Sequence, residues 1–253
     1  SALDSILRSI GRLSEHKIHA NKVIDLLEMK PYIFENLLGG STTNTDSSYT
    51  LEFKNVSFVY PGSEREILSN ISCIFKNGQE IAIVGLNGAG KTTLLRLIAR
   101  VYDPSTGTIL LNGRDLREYS LAEYRNILAV MMQDYHTYSD ETIRDNIITN
   151  KEFDEKLFTE VTSQTGVTEY VKQYNAGFDQ MIGTEFRGGV ELSKGQKQKL
   201  ALARVLYRNA PIIILDEPTA AIDALSEDTI FKSLRENHTD QTRIIISHKF
   251  SNV

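Results

Sequence analysis

The sequence predicts an α/β fold with a parallel sheet at its core, an antiparallel β layer beside it and a helical subdomain, and three observations carry that prediction. Glu80-Ile81-Ala82-Ile83-Val84, a short β-branched apolar run, precedes Gly85-Leu86-Asn87-Gly88-Ala89-Gly90-Lys91-Thr92, and Thr93 to Ala99 then carries helical apolar spacing. The runs Ile127 to Met132, Ile212 to Leu215 and Ile244 to Ile246 repeat the buried-strand pattern, and each leads into polar residues. Between about Asp140 and Asn209 the apolar residues fall at helical steps instead, with Ile143, Ile147, Leu157, Val161, Leu200 and Leu206 among them.

A chain of 253 residues can hold one large or two ordinary domains, typically about 100–200 residues each. A net charge of −5 and a pI near 5.6 argue against a general nucleic-acid binder, which would present a basic face. Cys73 is the only cysteine, which excludes an intrachain disulfide and a thiolate-rich metal site. No stretch reaches the roughly 18 consecutive apolar residues of a membrane span.

In chain order, residues 1 to about 29 read as an amphipathic helix, with Leu3, Ile6, Leu7, Ile10 and Leu13 and then Val23, Ile24 and Leu27 on its stripe before Pro31. Either it packs on the domain, or it ends a longer helix. The text from Gly39 to Thr50 has linker composition. Leu51 to Tyr60 alternates as a strand interrupted near Asn55, and Ser72 to Phe75 forms a second one. Asn77-Gly78 is a hairpin signal leading into the strand before the glycine-rich loop.

The loop is a full match to G-x-x-x-x-G-K-[ST]. Its glycines let successive backbone N–H groups converge as an anion nest at a helix start. Lys91 would reach the β- and γ-phosphates of a nucleotide, and the Thr92 hydroxyl would ligate Mg²⁺. Asp216-Glu217, after the apolar run Ile212 to Leu215, would supply a second Mg²⁺ ligand and a group to orient or deprotonate water. Gln133, at a strand's C-terminal end, faces the metal or the γ-phosphate, or is a solvated loop amide. Ser193 begins a helix, so Ser193-Lys194-Gly195 is either a cap or a second anion site serving a partner molecule's nucleotide. Tyr60 is a base-stacking or packing residue, and His248 a γ-phosphate contact or a solvated histidine.

From Leu51 to Val253 these residues together resemble the nucleotide-binding domain of an ATP-binding-cassette (ABC) transporter, a P-loop NTPase. Gly85 to Thr92, with Thr93, looks like the Walker A loop. Ile212 to Asp216 looks like Walker B with Glu217 as catalytic glutamate, and Leu192-Ser193-Lys194-Gly195-Gln196 like the family signature. Gln133 matches the Q-loop, Asp223 the D-loop, His248 the switch histidine and Tyr60 the adenine-stacking aromatic. The resemblance implies ATP and Mg²⁺ as cofactors, and a head-to-tail dimer in which each ATP lies between the Walker residues of one copy and the signature of the other. Two letters depart from the family's usual pattern: Lys194 replaces a glycine and Ile222 a leucine. Neither removes a catalytic group, so a homodimer with competent sites is expected.

The order of helix, linker and nucleotide domain resembles a half-exporter. It assigns residues 1–38 to the cytosolic end of the last transmembrane helix, 39–50 to a linker, and 51–253 to a C-terminally incomplete nucleotide domain on the cytoplasmic face of a membrane. The transmembrane domains, in the same chain or complex, would be its partners. The letters Gly188 to Ser193 resemble bacterial peptide exporters, and Thr184 to Glu191 falls where exporters contact intracellular loops. The alternatives are an importer's ATPase subunit, against which the leading helix speaks, and a nucleic-acid clamp, which would carry a long coiled coil before the signature.

Overall fold

The computed structural model describes residues 48–185, 187–237 and 241–247, with isolated positions 17, 20–24, 27–28 and 33. The chain divides into two units, residues 1–34 and 35–253. In the first, positions 17, 20–24 and 27–28 are helical and Val23, Ile24 and Leu27 are exposed. The rest of the expected helix, and positions 39–47 of the expected linker, lie outside the described residues. No described helix is long and apolar enough to cross a membrane.

The second unit contains two four-stranded sheets. One is antiparallel, in the order β2-β1-β4-β5, from β1 (Leu51–Val59), β2 (Glu66–Phe75), β4 (Thr106–Leu111) and β5 (Arg114–Asp115). The interruption read at Asn55 is a bulge: Asn55 has φ 48° and the β1–β2 register shifts between Phe53 and Val56. Residues 48–50 belong to this folded body rather than to a linker. Tyr49 is buried in the core, and Asn112 bonds the backbone of both Ser48 and Thr50.

The other sheet is wholly parallel, in the order β3-β8-β7-β6, from β3 (Glu80–Ile83), β6 (Leu128–Met131), β7 (Ile212–Asp216) and β8 (Thr242–Ile246). Its strands are apolar on both faces because both are covered. Ile212, Ile214, Ile244 and Ile246 join a core shared with β1, β2, β4 and helix α1 (Lys91–Ile98), whereas Ile213, Leu215, Ile245, Ala129 and Met131 join a core shared with the helices. A two-residue period thus divides one sheet between two cores.

Those helices are α3 (Ile143–Ile148), α4 (Glu155–Gln164), α5 (Val167–Val171), α6 (Lys194–Tyr207) and α7 (Ala224–Asn237), with the short α2 (Leu121–Asn126) placed before β6. Asp154 caps α4 and Ser120 caps α2, each accepting from a backbone N–H three residues on. Two sequence expectations are corrected. Asn77-Gly78 turns the chain but forms no hairpin, because the Gly78 amide donates to Thr242 Oγ1 (3.1 Å) and the Arg243 amide to the Gln79 carbonyl (2.8 Å), drawing β3 to β8 in the other sheet. The interval 140–209 is also not helical throughout. Between α5 and α6 it carries a 3₁₀ turn (Gly177–Asp179) and isolated bridges pairing Thr142 with Met181 and Ile182 with Val190.

Candidate functional site

The glycine-rich loop joins β3 to α1, with Gly90 as N-cap at φ 89°. A Cβ there would stand 2.7 Å from Leu68 Cδ2 and 3.2 Å from the Ile67 carbonyl oxygen, so only glycine permits both the turn and this approach to β2. The first intrahelical bond is Leu94 N–H to the Gly90 carbonyl, which leaves the amides of Lys91, Thr92 and Thr93 without one at the positive end of the helix dipole. The first turn contains no acidic residue to compete for them. Lys91 Nζ donates to the carbonyls of Gly85 (2.7 Å) and Leu86 (3.0 Å), and the Ala89 amide to Leu86, so the loop closes around its own lysine.

A cleft of about 610 Å³ lies over this loop. Asn87, Gly88, Gly90, Lys91, Thr92 and Thr93 line it from the loop and helix. Gln133, Glu217 and Ile246 line it from the C-terminal ends of β6, β7 and β8, the end at which open α/β sheets bind ligands. Tyr60, Arg65 and Ile67 form the remaining wall. Gly85, Leu86 and Ala89 shape the loop but are not in this lining. The Tyr60 ring packs edge-on to Phe58 (4.9 Å) and Tyr102 (5.4 Å), while its hydroxyl accepts from Arg96 Nη1 (3.0 Å) and shares a hydrogen bond with Thr93 Oγ1 (2.9 Å). That network ties the aromatic wall to the phosphate helix.

Asp216 closes β7 and is only 1% exposed. Its Oδ2 accepts from Thr92 Oγ1 at 3.0 Å. The described residues contain no cluster of three His, Cys, Asp or Glu side chains able to hold a metal by themselves. A single buried carboxylate beside a hydroxyl, at a phosphate loop, nevertheless fits Mg²⁺, which commonly takes one or two carboxylates and completes its shell with water and substrate phosphates. Glu217 follows in the left-handed region at φ 52°, a conformation costing roughly 1–3 kcal/mol for a residue with a side chain. It is held there from two sides: its amide donates to the Ile246 carbonyl (3.1 Å), and its carbonyl accepts from Gln198 Nε2 (2.8 Å). Gln133 is exposed at the cleft edge, and His248 lies outside the described residues.

Leu192, Ser193, Lys194, Gly195 and Gln196 stand apart from the cleft lining. Leu192 is buried, and Ser193 caps α6 in a reciprocal box: its hydroxyl accepts from the Gln196 amide (3.3 Å), and Gln196 Oε1 accepts from the Ser193 amide (2.8 Å). Ser193 and Lys194 are exposed. The Lys194 carbonyl accepts from the Tyr135 hydroxyl (3.2 Å), and burial pushes that phenol above its ordinary pKa, keeping the donor protonated. A Cβ on Gly195 would meet the Ala221 carbonyl at 2.8 Å, so α6 and the loop after β7 touch backbone to backbone. Asp223 accepts from the Ser226 amide (3.0 Å) at the start of α7, and this bond holds its carboxyl below the ordinary value.

Sequence reasoning missed Arg65, Ile67, Tyr135 and Gln198. Only the tertiary arrangement marks them, since none sits inside a recognisable motif.

Residues 68–220 match the family described as ABC transporter. Over 205 residues the chain is 40% identical to the ATP-dependent lipid A-core flippase of Salmonella typhimurium and 38% identical to that of Yersinia pestis. Each match covers 80% of this chain and 34% of the relative, so the chain spans about a third of the length of these curated relatives. Among solved structures, a bacterial Atm1-family ABC exporter with ATP bound superposes with a TM-score of 0.81 at 30% identity, over 94% of this chain and 41% of that one. Motif order, sheet topology and these likenesses agree: the chain belongs to the ABC transporter family and carries its ATPase domain.

Proposed function

We propose that this domain powers an exporter by closing head-to-tail on a second copy around two ATP–Mg²⁺, hydrolysing them, and opening again to move attached transmembrane domains. The observation carrying this reading is the separation of two anion-binding features in one chain. The cleft holds Lys91, Thr92 and Glu217, while Ser193 and Lys194 stand exposed elsewhere, at a helix start suited to a second copy's phosphate. Identity to flippases and the likeness to an exporter support export over import.

In this mechanism the Lys91, Thr92 and Thr93 amides and Lys91 Nζ hold the β- and γ-phosphates, and Tyr60 with Ile67 walls the base. Thr92 and Asp216, with Gln133 beside them, would hold Mg²⁺, which when bound would supply positive charge against the transferred phosphoryl group. Glu217 takes the proton of the attacking water as general base, and His248 contacts the γ-phosphate. Asp223 orders the loop beside the second copy. Residues 1–38 lead from the last transmembrane helix, 39–47 link it, and the domain lies on the cytoplasmic face. Flippases and an Atm1-family exporter share this domain's pattern, so cargo selection, peptides included, resides in the membrane part.

Glu217→Gln tests the reading. Loss of a general base should lower turnover about 10²–10⁴-fold while ATP binding persists, and an ATP-dependent dimer should accumulate on size exclusion. Unchanged turnover, or a chain monomeric with saturating ATP, would contradict it.

A further inference from the structure

Gln198 is 2% exposed, on the second turn of α6, and it lines no cavity described above. Both ends of its amide are committed to one short loop. Nε2 donates to the Glu217 carbonyl at 2.8 Å, and Oε1 accepts from the Ala221 amide at 2.7 Å. These bonds span the turn that leaves β7, whose first residue is the strained Glu217. One turn earlier on the same helix, the Gly195 backbone lies against the Ala221 carbonyl. A rigid α-helix therefore carries Ser193 at its tip and grips the Glu217–Ala221 turn one step further along.

From this geometry we infer that Gln198 is a positioning residue for hydrolysis: it fixes the backbone of Glu217 through its amide donor and transmits displacement of the Ser193 end of α6 to that turn. The inference rests on the proposed role of Glu217 and on Ser193 meeting a second copy's nucleotide. A phosphate docking at the helix tip pulls on α6, and because Gln198 bonds backbone rather than side chain, the pull reorients Glu217 without altering its chemistry. Occupancy of one site thus sets the base of the other.

The test compares Gln198→Glu and Gln198→Leu in the full chain, reading kcat and KM for ATP, with affinity measured separately using a fluorescent ATP analogue. Gln198→Leu removes both bonds; kcat should fall about tenfold to a hundredfold, since a 1 Å misplacement is worth that much, while affinity stays within about twofold. Gln198→Glu keeps the acceptor for Ala221 and, when ionised, loses the donor to Glu217. Burial raises a carboxyl's pKa, so lowering pH should protonate it, restore the donor, and bring the variant-to-wild-type kcat ratio upward. A ratio flat from pH 8 to pH 5.5, or either variant turning over at the wild-type rate at pH 8, overturns the inference. If Gln198→Leu does not fold, the pH dependence of Gln198→Glu decides alone. Glu217→Gln run alongside separates the two levels. If it retains turnover, the general-base reading fails; if it abolishes turnover while the Gln198 variants do not respond, only the coupling fails.

Discussion

The two helix starts that bind anions in this account are built in opposite ways. At α1, Gly90 adopts φ 89°, no side chain caps the helix, and the amides of Lys91 to Thr93 are left for a ligand. At α6, Ser193 and Gln196 satisfy each other's backbone donors in a closed box. The first end leaves three amides open and accounts for the cleft; at the second the box occupies the Ser193 and Gln196 amides and leaves only those of Lys194 and Gly195 outside the helical ladder. In the proposed dimer each nucleotide would meet both ends, the open one from one copy and the boxed one from the other.

Three substitutions sharpen or break this contrast. The largest effect is expected at the open end: Lys91→Ala removes the cation and the donor to the Gly85 and Leu86 carbonyls, and turnover should fall about 10²–10³-fold, with ATP affinity lost in equilibrium binding. Retained affinity would mean that the loop backbone alone holds the phosphates. Next is Gly195→Ala, whose methyl would meet the Ala221 carbonyl at 2.8 Å. Overpacking of this kind typically costs 1–3 kcal/mol, so the denaturant midpoint should drop, together with kcat; an unshifted midpoint would show that the helix–loop contact is slack. The smallest stability change belongs to Ser193→Ala, which loses one cap bond and should cost about 0.5–2 kcal/mol. If the contrast holds, ATP binding to the isolated copy is unaffected by that change and only turnover disappears.

The open end was fully legible in the sequence because phosphate chemistry dictates its letters: glycines for the turn, a lysine and a threonine at fixed spacing, and apolar strands leading in and out. Ile222 was readable as a departure, and its burial in the helical core shows that an apolar swap satisfies that position. Asn77-Gly78 misled because a turn dipeptide specifies a bend, not the strand that follows; hydrogen bonds to Thr242 and Arg243, some 164 residues away in sequence, made the choice. Residues 172–193 were misjudged because their order comes from bridges such as Ile182 with Val190 rather than from a local period. Gln198 and Tyr135 were invisible for a related reason. A buried glutamine reads as a polar letter on an amphipathic helix until its two partners, both on a distant loop, are in place.

The most direct measurement of the central claim mixes two inactive chains, one carrying Lys91→Ala and the other Ser193→Ala. If each site takes its loop from one copy and its signature from the other, a mixed dimer contains one doubly damaged site and one intact site, and ATP turnover absent from either chain alone returns in the mixture. If each site is built within a single chain, every site keeps a lesion and the mixture remains as inactive as its parts, which would contradict the account.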